Sequence, residues 1–385
     1  MPSQAIAASA NKKVKRKVSV RGTVDVTFLI LVLLIVTVGL VMLFSASYAD
    51  AYYRIGNSYH YISKQLVSAV LGVFAMIFVS FIDYRILHKL ALPALIISIA
   101  LTAVTLVMPP LNNARRWIFL GSFTFQPSEI VKFTLALFLA HYISLNYNRM
   151  KEFKVGVLVP MAVLGVIALI LLKQPHLSCT IIILLIGLTM MFVGGTSLKW
   201  FAVGGGLIGT ALVVMVLFTD FVSYAYDRIH YWIDPESDPL GAGFQTLQSL
   251  TAIGSGGLLG LGLGNSRQKY LYLPEPHNDF IFSVICEELG FVGATLVIIL
   301  FVLLVWRGFV IAMRATDKFG ALLAIGLILQ VGYQTLLNIA VVTNTIPNTG
   351  ISLPFFSYGG TALAMLLAQM GVILSISRFT NMEKK

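Results

Sequence analysis

Val26-Thr-Phe-Leu-Ile-Leu-Val-Leu-Leu-Ile-Val-Thr-Val-Gly-Leu-Val-Met-Leu-Phe-Ser-Ala-Ser47 runs without a single charged residue. As a helix, about 20 apolar residues cover the roughly 30 Å hydrocarbon core of a bilayer, so this stretch reads as a membrane span. Lys12, Lys13, Lys15, Arg16, Lys17 and Arg21 precede it and Ala49 and Ala51 follow it, an arrangement that imitates a secretory signal. The run is too long for a signal core, which predicts an uncleaved first helix with its basic tail in the cytoplasm.

The rest of the chain repeats this pattern. Its 385 residues are 58% hydrophobic and 11% charged, with a mean hydropathy of +0.88, which excludes a water-soluble globule with an ordinary polar surface. Apolar runs between breakers predict ten spans, near 25–47, 62–82, 90–108, 128–145, 155–172, 177–193, 198–218, 280–305, 319–343 and 357–377. The expected fold is therefore an all-α polytopic membrane protein with both termini cytoplasmic. The net charge of +11 comes mainly from short segments between alternate runs, such as Arg85 and Lys89, Arg149 and Lys151, and Arg307 and Arg314. That is the cytoplasmic-loop signal, and it argues against nucleic acid as a partner. Cys179 and Cys286 lie in or beside apolar runs, far apart, and read as buried free thiols.

The expected organisation is a basic cytoplasmic tail over 1–23, a single transmembrane domain over 24–378, and a cytoplasmic tail over 379–385. Within the domain, 219–278 forms a long connection between helices 7 and 8, where Asp220, Asp227, Asp234, Glu236, Asp238 and Glu275 outnumber Arg228, Arg267 and Lys269. It is placed outside the cell, and a connection of that length is more often functional than a spacer. Its glycine-rich stretch from Ala252 to Gly264 imitates a nucleotide fingerprint, but no strand precedes it and no Lys-Ser or Lys-Thr closes a P-loop. The plainer reading is a re-entrant or interfacial segment, tolerated at membrane depth when buried in protein or lining a cavity.

Three polar constellations interrupt the apolar runs. Arg115-Arg116-Trp117, in the second outer connection, runs against the positive-inside trend. Paired guanidiniums beside a tryptophan suit a pyrophosphate or an anionic headgroup; anchorage to any phospholipid is the alternative. Gln126-Pro-Ser-Glu-Ile-Val-Lys132 reads as a helix start in which Glu129 and Lys132 share a face, as a functional pair or as a structural ion pair. Leu273-Pro-Glu-Pro-His277-Asn-Asp279 then leads into Phe280-Ile-Phe-Ser-Val-Ile-Cys-Glu287-Glu288-Leu-Gly290. Asp279 stands at the mouth of a membrane helix, near water yet partly desolvated, which suits it to take a proton; capping that helix is a compatible role. Glu287 and Glu288 lie deeper and read as architectural, with Arg or Lys from neighbouring helices as the expected partners. His277 orders the loop or binds substrate phosphate. The last outer connection, Asn344 to Gly360, is dense in turn formers and could cradle a sugar or pyrophosphate through its amides, or form a tight re-entrant turn.

On these residues the chain resembles the SEDS family of FtsW, RodA and SpoVE, over essentially all of 24–378. The motifs are Arg116-Trp117-Ile118 with Gln126 to Lys132, Gln248-Ser-Leu-Thr-Ala-Ile-Gly-Ser-Gly-Gly257, Leu273 to Gly290, and Pro347 to Gly360, all in family order. Ser266-Arg-Gln-Lys269 and Tyr272 to His277 look closest to the FtsW and SpoVE branch. Two departures stand out: Gln174-Pro-His176-Leu-Ser178-Cys179 replaces the usual Gln-Pro-Asp-Leu-Gly-Thr, and Gly359-Gly-Thr361-Ala362 replaces Gly-Gly-Ser-Ser. A protonated His176 would invert the local charge.

The resemblance implies a ten-helix inverting glycosyltransferase in the bacterial cytoplasmic membrane, its active site facing outward, that polymerises lipid II into β-1,4 glycan strands for division or sporulation. It implies a class B penicillin-binding protein as partner, together with other division or sporulation membrane proteins. The family's essential aspartate falls on Asp279, and its tryptophan, glutamate and lysine positions fall on Trp117, Glu129 and Lys132. Arg115, Arg116, Lys132 and Lys269 are the cations available to a pyrophosphate leaving group. A divalent cation, Mg or Mn, could assist that group, although no compact carboxylate cluster specifies one. A lipid II flippase and a noncatalytic division scaffold are the competing classes; polar groups clustered on the outer side favour chemistry over translocation.

Overall fold

A computed structural model describes residues 22–109, 115–120, 123–206, 230–241 and 243–379. Helix α1 (Val26–Ile55) opens on Asp25, whose carboxylate accepts from the Phe28 amide and pairs with Arg307 at 2.7 Å. An anion there suits the positive end of the helix dipole. The helix closes on Gly56 at φ 78°, a left-handed C-cap that glycine adopts without steric cost. There follow α2 (His60–Phe81), α3 (Arg85–Val104), a hairpin of β1 (Ile118–Leu120) and β2 (Phe123–Phe125), α4 (Pro127–Asn146), α5 (Val159–Lys173) and α6 (Leu177–Val193). Beyond them lie α7 (Phe244–Ser255), α8 (Ile281–Arg314), α9 (Lys318–Val342) and α10 (Gly360–Ser377).

Among the described residues eight helices are long and apolar enough to cross a membrane, and α6 is a shorter apolar helix. The chain is a multi-pass membrane protein. Nine of the expected spans are helices near their predicted positions. The other, 198–218, is helical over 198–206, and its remainder lies outside the described residues, as do 1–21, 219–229 and 380–385. Apart from the small antiparallel hairpin, the described structure is essentially helical. That hairpin was not foreseen; it lies just ahead of α4.

Helix α10 lies along α2, α8 packs on α9 and α1, and α4 joins α3 to α9. The α2 and α10 backbones nearly touch: a Cβ on Gly371 would stand 2.5 Å from the Met76 carbonyl oxygen. Small residues permit such approach where lipid removes the hydrophobic drive between helices. Gly39 does the same on α1, where a Cβ would stand 2.5 Å from the Phe355 carbonyl oxygen, so the connection between α9 and α10 presses against that helix. Val70, Phe74, Phe78 and Phe81 of α2 remain exposed, apolar on the outside as a lipid-facing helix is.

The expected span 280–305 is helical but broken. Gly290 adopts φ 68° and ψ −170°, a conformation essentially restricted to glycine. The glycine-rich stretch satisfies the backbone groups that the break frees: Leu261 N–H and Gly262 N–H donate to the Glu287 and Glu288 carbonyls, both at 3.0 Å. Phe291 N–H and Val292 N–H donate to Gly257 and Leu258, at 2.9 and 3.1 Å. A Cβ at Gly260 would meet the Glu288 carbonyl oxygen at 2.2 Å, so a close backbone approach explains a glycine there. The irregular backbone of 257–262 is thus paired against protein.

Candidate active site

The turn ahead of α8 is held by its own carbonyls. His277 O accepts from the Tyr358 amide at 2.9 Å, Asn278 O from Ser357 Oγ at 2.7 Å, and Asp279 O from Asn338 Nδ2 at 2.7 Å. Asn338 also donates to Ile351 O at 2.6 Å, and Ser178 Oγ donates to Gly350 O at 3.1 Å. Gln65 of α2 grips the same connection, donating to Ser357 O at 3.2 Å and accepting from Gly359 N–H at 3.1 Å. Three consecutive residues are thus fixed against α9 and the 344–359 connection, which is itself anchored to α2 and α6.

The Asp279 side chain is free inside this frame. Among the described residues its carboxylate receives no hydrogen bond, and at Gly350 a Cβ would already approach Oδ2 to 3.2 Å. Desolvation, reinforced by the Glu275 charge and opposed by Arg116, pushes the Asp279 carboxyl up to about 6. Arg116 is docked on the turn between α5 and α6, where Nε donates to Gln174 O at 3.4 Å and Nη2 to Pro175 O. Gln174 is locked in turn by its Nε2 to Thr102 O at 2.7 Å and Thr105 Oγ1 at 2.6 Å. A carboxylate with raised basicity and a guanidinium held by neutral carbonyls therefore share one corner.

The remaining expected residues divide. Trp117 is half-buried next to Arg116, while Arg115 is exposed and donates to Leu106 O at 2.8 Å. Glu129 and Lys132 are buried and paired at 2.8 Å, and Glu129 lines a cleft with Gln334, Ser357 and Tyr358. His277 is 4% exposed, its ring stacked 4.2 Å from Tyr61. Lys269 is not brought to Asp279. Its Nζ donates to Glu288 at 2.8 Å, Gly264 O at 2.7 Å and Ser45 Oγ at 3.2 Å, which uses all three ammonium protons. Glu287 accepts from Ser266 Oγ at 2.5 Å and from the Arg267 amide at 2.8 Å. The partners of the two deep glutamates thus come from the segment 264–269 ahead of α8 and from α1, not from Arg or Lys on neighbouring helices.

His176 is a second correction. It is buried, and desolvation with the Arg116 and Lys132 charges pushes its pKa down to about 3, so it stays neutral and does not invert the local charge. Cys179 and Cys286 are free and buried, as expected. Among the described residues no group of three or more His, Cys, Asp or Glu could hold a metal ion.

Sequence reading missed Asp50, which sits beyond the expected end of the first span because α1 runs on to Ile55. It is 2% exposed, paired with Arg54 at 2.6 Å and bonded to Tyr61 at 3.3 Å, with His277 Nδ1 at 3.9 Å. The i, i+4 spacing of Asp50 and Arg54 in an apolar neighbourhood was the available signal.

Residues 25–382 match the cell cycle protein family of FtsW, RodA and SpoVE. The chain belongs to this family. Its relatives include stage V sporulation protein E of Bacillus subtilis, 40% identical with 92% of this chain and 97% of that protein covered. A probable peptidoglycan glycosyltransferase FtsW of Trichlorobacter lovleyi is 37% identical, with 92% and 93% covered. Among solved structures, a chain described for a peptidoglycan synthase complex that coordinates polymerization and crosslinking superposes with a TM-score of 0.77 at 30% identity, covering 92% of this FtsW/RodA/SpoVE-family chain and 98% of that one. The rod shape determining protein RodA of Thermus thermophilus gives 0.68 at 29% identity, with 94% and 98% covered.

Proposed function

We propose that this chain is a peptidoglycan glycosyltransferase that polymerises lipid II on the outer face of the bacterial cytoplasmic membrane, through one transmembrane domain spanning 24–378. The observation that carries the reading is Asp279: a carboxylate poised near pH 6, with no hydrogen-bond partner among the described residues, facing Arg116 at the mouth of α8. Asp279 takes the proton from the 4-hydroxyl of the acceptor sugar as O4 attacks the anomeric carbon of the donor. The new C1–O4 bond forms, the bond from C1 to the undecaprenyl pyrophosphate breaks, and the α-linked donor gives a β-1,4 product. One base suffices because pyrophosphate departs without a proton. Arg116 and Arg115 lie in position to meet the leaving charge, with Trp117 beside them at headgroup level. Lys132 acts there only together with Glu129, as a neutral pair, and Lys269 supports the turn from behind instead of touching substrate.

The likeness to a chain from a synthase complex supports a class B penicillin-binding protein as partner, and the basic segments between alternate spans support the outward orientation. Kinship with both sporulation and FtsW proteins supports a role in septum synthesis. The test is purified protein with its partner and lipid II, comparing wild type with Asp279→Asn, which keeps the shape and removes the base. Glycan strands from wild type alone are the expected result. Lipid translocation by both proteins without strands would move the flippase reading ahead.

A further inference from the structure

The turn that presents Asp279 is clamped through three backbone carbonyls, but its buried imidazole, His277, is not. Among the described residues His277 Nδ1 has no hydrogen-bond partner, and Asp50 Oδ2 lies 3.9 Å away, less than 1 Å beyond ordinary bonding distance. The Tyr61 ring stacks on the imidazole at 4.2 Å, and Tyr61 OH donates to the same Asp50 oxygen at 3.3 Å. Arg54 holds the other oxygen at 2.6 Å, so the carboxylate cannot swing away without losing a charge-assisted bond. The groups facing this imidazole are Asp50 and Arg54 from α1, Tyr61 from α2, Tyr358 from the last connection and Glu275 from its own turn. A buried nitrogen left unpaired is costly, and a buried carboxylate is the partner that removes that cost.

We infer that Asp50 is a positioning residue, which draws His277 Nδ1–H into a hydrogen bond as the acceptor sugar is bound and thereby sets where Asp279 stands. This rests on the polymerase reading. A donor at Nδ1 fixes the neutral tautomer and leaves Nε2 as an acceptor. The bond links the outer end of α1, through His277, to a base two residues further along the chain. Because the carbonyls of 277, 278 and 279 already hold the backbone, the imidazole is the part of the turn left to be fixed, and fixing it sets the direction in which the Asp279 carboxylate projects.

The test is a double-mutant cycle of Asp50→Asn and His277→Leu, together with His277→Asn, whose amide keeps a donor near the Nδ1 position. One readout needs no turnover: the pH midpoint for labelling of Asp279 by a hydrophobic carbodiimide, resolved by peptide mass spectrometry. Asp50→Asn and His277→Leu should each shift that midpoint, the double variant should shift it no further, and His277→Asn should restore most of it. In polymerisation the two single variants should lower kcat by about tenfold or more, with KM within about twofold, as misplacement of a reacting group does. Unchanged midpoints in both single variants, or additive shifts in the double, would overturn the inference. If wild type makes no polymer while the labelling cycle shows coupling, the polymerase reading fails and the Asp50–His277 linkage stands; coupling in labelling with kcat unchanged in every variant would overturn the positioning role.

Discussion

Asp279 and His176 show how one corner assigns opposite fates to two titratable groups. Asp279 is crowded and neighbours Glu275, so its charged form is disfavoured and its basicity rises; His176 is buried beside Arg116 and Lys132, so its charged form is disfavoured and it stays neutral. Set against the family pattern the chain resembles, a neutral His176 in place of an acid removes a negative charge without adding a positive one. His176→Gln should leave the polymerisation rate within about twofold, because no ionised imidazole is lost. A fall of tenfold or more in steady-state assays would show that the ring has a role its neutrality does not explain. Asp279, Arg116 and the Glu129–Lys132 pair were legible in the sequence because a charge beside an apolar run is costly enough to stand out. Asp50 was not, since its significance depends on His277, Tyr61 and Arg54 converging from separate parts of the chain.

Helix α8 behaves as two helices joined at Gly290, with the glycine-rich stretch supplying the hydrogen bonds that the junction lacks. Hydropathy did not reveal the break, because apolar residues resume directly after Glu287-Glu288. The glycines between 254 and 264 marked the segment that repairs it, but not its target. Lys269 and Glu288 lock this arrangement from inside at 2.8 Å, with 2% and 0% of their side chains exposed. Lys269→Met should destabilise the protein by about 3–5 kcal/mol, since it strands a buried carboxylate. Lower yield and an earlier thermal transition in detergent would register that loss, with KM for lipid II unchanged in whatever folds. A raised KM with unchanged stability would return Lys269 to the substrate site. The hairpin before α4 also escaped the sequence: its short strands interrupt no hydrophobic period that would announce them.

At the scale of the whole molecule, apolar length fixed where the helices fall and the placement of basic residues implied which end faces the cytoplasm. Cys179 and Cys286 are buried, so introduced cysteines can report orientation against a quiet background. Asn57→Cys, in the first outer connection, should react with an impermeant maleimide on intact spheroplasts, and Lys151→Cys only after permeabilisation. The reverse pattern would invert the topology and place Asp279 on the wrong side for an external substrate. The close packing of α10 on α2, and the seating of the last connection between α1, α6 and α9, explain how groups from distant parts of the chain meet at one membrane surface. The most direct test of the central claim is the pH dependence of lipid II polymerisation at saturating substrate. A base must be deprotonated to act, so a carboxyl raised to about 6 predicts a rate that climbs from pH 5 and levels above about 7, with half-maximum near 6 in wild type and no climb in Asp279→Asn. A rate that is flat from pH 5 to 8, or an Asp279→Asn variant that keeps the same profile, would contradict Asp279 as the base.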